Sequence, residues 1–212
     1  MSISKHLLKW VQPDKNTDYV MGDPKSNPKA RASKKKEMEL LERIVRKECS
    51  KPGKGQWYMK ASEFFVKRAL EIMGEKVWSP KTIKGFRPDL ETKDTIYEVK
   101  SRSYSVPGTA GEKILGTPCK YSKVPKLYGK KLEIVLIGYQ EEEAEKWEIF
   151  DEDGELKEEL ALWKRKKITY KRGTDFVKAI VEKGCIGDSD SDSDSASDSD
   201  SYSDSDSDSD SD

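Results

Sequence analysis

Apolar residues recur at three- and four-residue intervals through 34–49, where Met38, Leu41, Ile44 and Val45 mark one face behind a capping Ser33. This spacing predicts an amphipathic helix. Lys51-Pro-Gly-Lys-Gly55 breaks it, and a second helix is predicted over 61–73, with Phe64, Phe65, Val66, Ala69, Leu70 and Ile72 as a wide apolar face and Gly74 at its C-terminal stop. The period then changes. Segments 75–79, 85–90 and 95–101 read as short strands between turn residues, and 108–116 as a short helix. The run 132–139 is apolar apart from Glu133, as expected of a strand covered on both faces. Acidic-to-basic amphipathic stretches at 141–147 and 155–166 are expected to be helical in part. A last helix is predicted over 174–183, with Phe176, Val177, Ile180 and Val181 on its apolar face. The sum is a mixed α/β domain that begins with helices.

The two ends lack such a pattern. Residues 1–33 are rich in Lys, Pro, Asn and Asp and read as a loosely ordered basic arm anchored by Trp10. From 188 the chain is a Ser-Asp repeat with Ala196 and Tyr202 as its apolar residues. It cannot bury a core, and its like charges repel, so disorder is expected. The expected organisation is an arm over 1–33, a domain over 34–187 and a tail over 188–212.

Charge sharpens this division. The chain carries 40 Lys and Arg against 40 Asp and Glu, but the tail holds 11 of the acids and none of the bases. Residues 1–187 are left with 40 basic and 29 acidic side chains, a net charge of +11. A basic body suits a polyanionic partner, most simply nucleic acid. The longest apolar run, Ile134-Val-Leu-Ile137, is far short of the ~20 residues of a membrane span, so no membrane partner is expected. Cys49, Cys119 and Cys185 are odd in number and form no CxxC pair, which points to a reducing intracellular compartment: cytoplasm, nucleus, or a viral protein in a host cell. His6 is the single histidine. Histidine-based triads, paired-histidine nucleases and Cys/His zinc sites are thereby excluded, and any hydrolysis must use carboxylates, lysine and a hard metal ion.

Such a set occurs in Arg87-Pro-Asp-Leu-Glu-Thr-Lys-Asp-Thr-Ile-Tyr-Glu-Val-Lys-Ser-Arg102. If residues 91–94 form a hairpin turn, Leu90 faces Thr95 and Asp89 faces Ile96. Strand alternation then puts Asp89, Glu98 and Lys100 on one face, with Asp89 and Glu98 as diagonal neighbours roughly 7–8 Å apart. Pro88-Asp89, eight residues, then Glu98-Val99-Lys100 resembles the signature of the PD-(D/E)XK nuclease superfamily, which includes type II restriction endonucleases and repair nucleases. The resemblance covers roughly 55–140. The short spacing between Asp89 and Glu98 and the Ser-Asp tail depart from the family pattern.

The resemblance implies a restriction-endonuclease-like central mixed β-sheet flanked by helices. It implies a Mg²⁺-dependent DNA endonuclease in which Mn²⁺ can replace Mg²⁺. Asp89, Glu98 and the Val99 carbonyl would hold the metal, Lys100 would serve water or phosphate, and Glu63 on the preceding helix would add to the catalytic set. A homodimer is the expectation by the same likeness. A non-catalytic nucleic-acid-binding protein on a nuclease-like fold is the rival reading. Arg102, Tyr104, the 108–113 segment with Lys113, and the Lys-Tyr-rich stretch 120–131 are candidate DNA contacts, with tyrosines stacking on bases. The tail serines sit among acids, where an acidic-directed kinase would modify them.

Overall fold

The computed structural model describes residues 2–16, 19–48, 57–104 and 110–187. The expectation of disorder over 188–212 therefore lies outside the described residues, as do Gly108 and Thr109. The chain forms a mixed α/β structure around a four-stranded sheet of β2 (Leu90–Glu91), β3 (Thr95–Arg102), β4 (Lys131–Gly138) and β5 (Ile168–Arg172), in that spatial order. Strand β2 runs antiparallel to β3, while β3, β4 and β5 are parallel. The two parallel crossovers carry α4 (Ala110–Lys120) with α5 (Val124–Tyr128), and α6 (Tyr139–Lys146) with α7 (Lys157–Arg165).

The alternation of side chains along the strands divides the core. Ile96, Leu132, Ile134 and Leu136 point to one face, where they pack with Ile114, Tyr121, Val124 and Ala144 from the crossover segments. Tyr97, Val99, Val135 and Ile137 point to the other. There they meet α1 (Lys5–Val11), α2 (Pro28–Glu48), α3 (Trp57–Ile72) and α8 (Gly173–Glu182). The apolar run expected at the sheet centre is β4, buried from Leu132 through Gly138. Gly138 ends it with φ 60°. A Cβ there would lie 2.9 Å from the Tyr104 hydroxyl, so both backbone and space require glycine.

The N-terminal segment departs from the expected loose arm. Strand β1 (Ile3–Ser4) pairs in parallel with β6 (Ile186–Gly187), and α1 buries Leu7, Leu8, Trp10 and Val11 in the main core. Two adjacent apolar pairs on a seven-residue helix carry this, a period too brief to stand out among charges. Helix α2 starts earlier than expected: Asn27 is its cap, accepting from the N–H groups of Lys29 (3.0 Å) and Ala30 (3.2 Å), with Pro28 at the first turn. Ser33 instead lies within the helix and accepts a bond from Val20 N–H at 3.0 Å. The expected strands over 75–79 and 85–90 reduce to isolated bridges, Trp78 with Glu91 and Ile83 with Phe86, followed by the two-residue β2. Gly74 closes α3 as expected, at φ 94°, with Glu75 N–H reaching back to the Leu70 carbonyl at 2.9 Å.

Candidate active site

The hairpin that joins β2 to β3 is tighter than a 91–94 turn. Leu90 lies level with Tyr97 and Glu91 with Ile96, while Thr92 N–H donates to the Thr95 carbonyl at 2.8 Å, leaving Lys93 and Asp94 as the loop. Relative to the expected pairing the register moves by two residues. An even shift preserves the face, so Asp89 still shares a face with Glu98 and Lys100, but it now stands level with Glu98 instead of diagonal to it. Asp89 is fixed there twice: its N–H donates to the Tyr97 carbonyl at 3.0 Å, and its Oδ2 accepts from the Val99 N–H at 2.7 Å.

Glu98 is 3% exposed. Its Oε1 accepts from the Lys100 ammonium, two residues along the same face, while its buried Oε2 makes no hydrogen bond of normal geometry among the described residues. Tyr121, just past α4, roofs the pair with its ring 5.9 Å from Lys100 Nζ. Its phenol is pushed up by burial and then by the adjacent Glu98 charge. Asp89 is raised to about 7, first by burial and then by Glu98. The Val99 N–H and Lys100 pull the other way, and Glu63 adds a further upward push. The Glu98 charge level with it thus adds to burial in disfavouring the ionisation of Asp89.

Glu63 lies on α3 and pairs with Lys60 at 2.7 Å. It shares with Asp89 an open cleft of about 430 Å³, which Lys67 and Arg68 also line. The Val99 side chain is in the opposite core. Because the N–H and C=O of one strand residue point to the same side, its carbonyl faces the same edge as Asp89. Among the described residues no group of three or more His, Cys, Asp and Glu side chains is gathered as a metal centre. Two carboxylates, one with a buried oxygen that makes no hydrogen bond of normal geometry, and a backbone carbonyl nevertheless form a hard-oxygen set suited to Mg²⁺ that keeps most of its water.

The proposed DNA-facing aromatic residues are committed to the fold. Tyr104 is buried and donates to the Trp10 carbonyl at 2.9 Å, and Tyr128 donates to the Phe86 carbonyl at 2.9 Å. Arg102 lies 4.5 Å from the Tyr139 ring centre, and Lys113 is exposed on α4. Two elements of the site escaped the sequence reading. One is the roofing role of Tyr121. The other is Glu37, fully buried, which accepts from Trp10 Nε1 (2.9 Å), the Ser103 hydroxyl (2.7 Å) and the Tyr104 N–H (3.2 Å), tying α1 and α2 to the end of β3. Its signal was available: Glu37 falls on the stripe of Leu41, Ile44 and Val45, where a charged residue needs partners.

No family model, no curated protein and no solved structure matches this chain. No helix among the described residues is long and apolar enough to cross a membrane.

Proposed function

We propose that the chain is a Mg²⁺-dependent DNA endonuclease of the PD-(D/E)XK type, with a restriction-endonuclease-like fold. The observation that carries this reading is the meeting of Asp89, Glu98 and Lys100 on one face of the β2–β3 hairpin, with Glu98 Oε2 buried and without a hydrogen bond of normal geometry among the described residues. Asp89, Glu98 and the Val99 carbonyl would hold the ion. A bound Mg²⁺ supplies neutralisation of the charge that develops on the phosphate, and acidification of a water ligand.

The protein's own groups do the rest. The Val99 N–H holds the Asp89 carboxylate in one orientation, so the ligand pair is preorganised. Lys100 is held by Glu98 at the same face, from which it orients the attacking water or neutralises a phosphate oxygen. Glu63 faces the cleft beside Asp89 and supports the acidic side of the site, with Lys60, Lys67 and Arg68 along the same cleft. Mn²⁺ would substitute for Mg²⁺ on the same oxygen set. A homodimer would allow both strands to be cut.

One observation favours a second reading, a non-catalytic nucleic-acid-binding protein: among the described residues no third acid joins Asp89 and Glu98 in a gathered group, and Lys100 is engaged by Glu98. Incubation with supercoiled plasmid in Mg²⁺ or EDTA separates the two. The nuclease reading expects metal-dependent cutting that is lost in Asp89→Ala; the binding reading expects retention of DNA with no cutting in either condition.

A further inference from the structure

Helix α1 buries Leu7, Leu8, Trp10 and Val11, which turns His6 and Lys9 to its other side. Helix α2 buries Glu37, Leu41, Ile44 and Val45, which leaves Lys36 and Arg43, seven residues and two turns apart, along an outward line. These two basic faces converge on an open cleft of about 490 Å³ lined by His6, Lys9, Tyr19, Lys36, Glu39 and Arg43. Glu39 is its single acid, and that acid lies 3.8 Å from Lys35 in an exposed pair. Among the described residues Lys36 and Arg43 form no ion pair. Unlike Lys36 and Arg43, the cations of the cleft beside Asp89 are answered within their own helix: Lys60 by Glu63 at 2.7 Å, and Lys67 and Arg68 by Glu71 at 3.9 and 3.2 Å.

We propose that the α1–α2 cleft is the docking site of this chain's own acidic segment, residues 188–212. Charge and position select that occupant. The segment carries 11 Asp and neither Lys nor Arg, so its charge equals and opposes the +11 of residues 1–187. It leaves the fold directly beside the cleft: Gly187, the last described residue, lies level with Ser4, and Ser4 is followed at once by α1. A free chain of that length has an r.m.s. span of roughly 25–30 Å, whereas a seven-residue helix is ~10 Å long, so the tether permits contact. Tethering raises the local concentration of the segment to the millimolar range, enough for a repetitive polyanion to hold a cluster of cations without a unique bound geometry. The contact is one between charges at a surface, and salt weakens it. It is independent of the nuclease reading, since it uses neither Asp89 nor Glu98.

Zero-length carbodiimide coupling on the full chain, mapped by peptide mass spectrometry at 20 and 500 mM NaCl, tests it. Lys36 is the diagnostic residue, because it belongs to a different element from the tether point. The expected result is coupling of tail aspartates to Lys36 and Lys9 in the monomeric species, reduced at least fivefold in high salt. Coupling to Lys9 should also fall severalfold in a Lys36→Gln/Arg43→Gln variant and stay unchanged in Lys60→Gln/Lys67→Gln. Links confined to Lys5, links spread evenly over exposed lysines, or links concentrated on Lys113, Lys120 and Lys123 would each overturn the proposal. So would protection of Lys36 by duplex DNA in a chain that shows no tail links, which would mark the cleft as a DNA surface.

Discussion

The Asp89 carboxylate accepts the backbone N–H of Val99 at 2.7 Å, across the hairpin and ten residues further along the chain. This bond ties the first acid of the candidate site to the strand that carries the second, and it offsets part of the cost of burying Asp89 beside Glu98. The bond needs an acceptor, not a charge. Asp89→Asn is therefore expected to keep the hairpin, with a Tm within a few degrees of the wild type, while losing at least about 100-fold in cleavage. Asp89→Ala is expected to lose both activity and stability, because the Val99 N–H is left without its partner. Thermal melts and plasmid nicking on the two variants check this, and equal loss of stability in both would count against it.

Glu63 faces the same cleft as Asp89 but is held by Lys60 on its own helix. A supporting residue of that kind is expected to lower apparent metal affinity by about 10-fold when replaced by Gln, with a smaller effect at saturating Mg²⁺. A Mg²⁺ titration of cleavage rate would show it. An unchanged Mg²⁺ dependence would remove Glu63 from the site.

Glu37 joins three elements through one fully buried carboxylate. Glu37→Ala strands the indole N–H of Trp10 and the Tyr104 N–H, and should cost about 3–5 kcal/mol. Glu37→Gln keeps an acceptor and should cost less. Urea unfolding measures the difference, and amide exchange should rise first at Ser103 and Tyr104. Little change in either would show that this buried junction contributes less than its geometry indicates.

Burial raises Glu141 from 4.5 to about 7, even though the Thr174 hydroxyl and the N–H groups of Thr174 and Gly173 favour its charged form and Asp175 pushes it up slightly. The folded carboxyl holds its proton more tightly than the unfolded one. Its contribution to stability is therefore complete below about pH 4.5, declines as pH rises to about 7, and is constant above. Glu141→Gln removes that dependence. Its stability relative to the wild type should improve from pH 5 to pH 8 by as much as about 3 kcal/mol. A difference between the two proteins that does not change across this range would contradict the assignment.

The parts of the structure readable in sequence are those with a long period or a forced parity. The 132–139 run is β4 to within a residue, because a stretch that is apolar apart from Glu133 needs cover on both faces. The common face of Asp89, Glu98 and Lys100 survived an incorrect turn length, because the register moved by two residues and not by one. Where several solutions are equally good locally, the sequence was silent. Ile168–Arg172 places one fully buried residue, Ile168, ahead of Thr169, Tyr170, Lys171 and Arg172, and it is tertiary pairing with β4 that makes it β5. The tyrosines of 120–131 read as a nucleic-acid surface by composition. Tyr121 and Tyr128 turned inward because a ring beside a buried carboxylate and a hydroxyl beside open carbonyls are contacts that only the fold creates.

The most direct test of the central claim is incubation of the purified full chain, Asp89→Ala and Lys100→Ala with supercoiled plasmid in Mg²⁺ or EDTA, with folding of each verified by circular dichroism. Nicked or linear DNA is expected from the wild type in Mg²⁺ alone, and none from either variant. If no plasmid, branched or single-stranded substrate is cut in Mg²⁺ or Mn²⁺ while all three proteins still retain DNA, the hairpin carboxylates are structural and the chain is a binding protein.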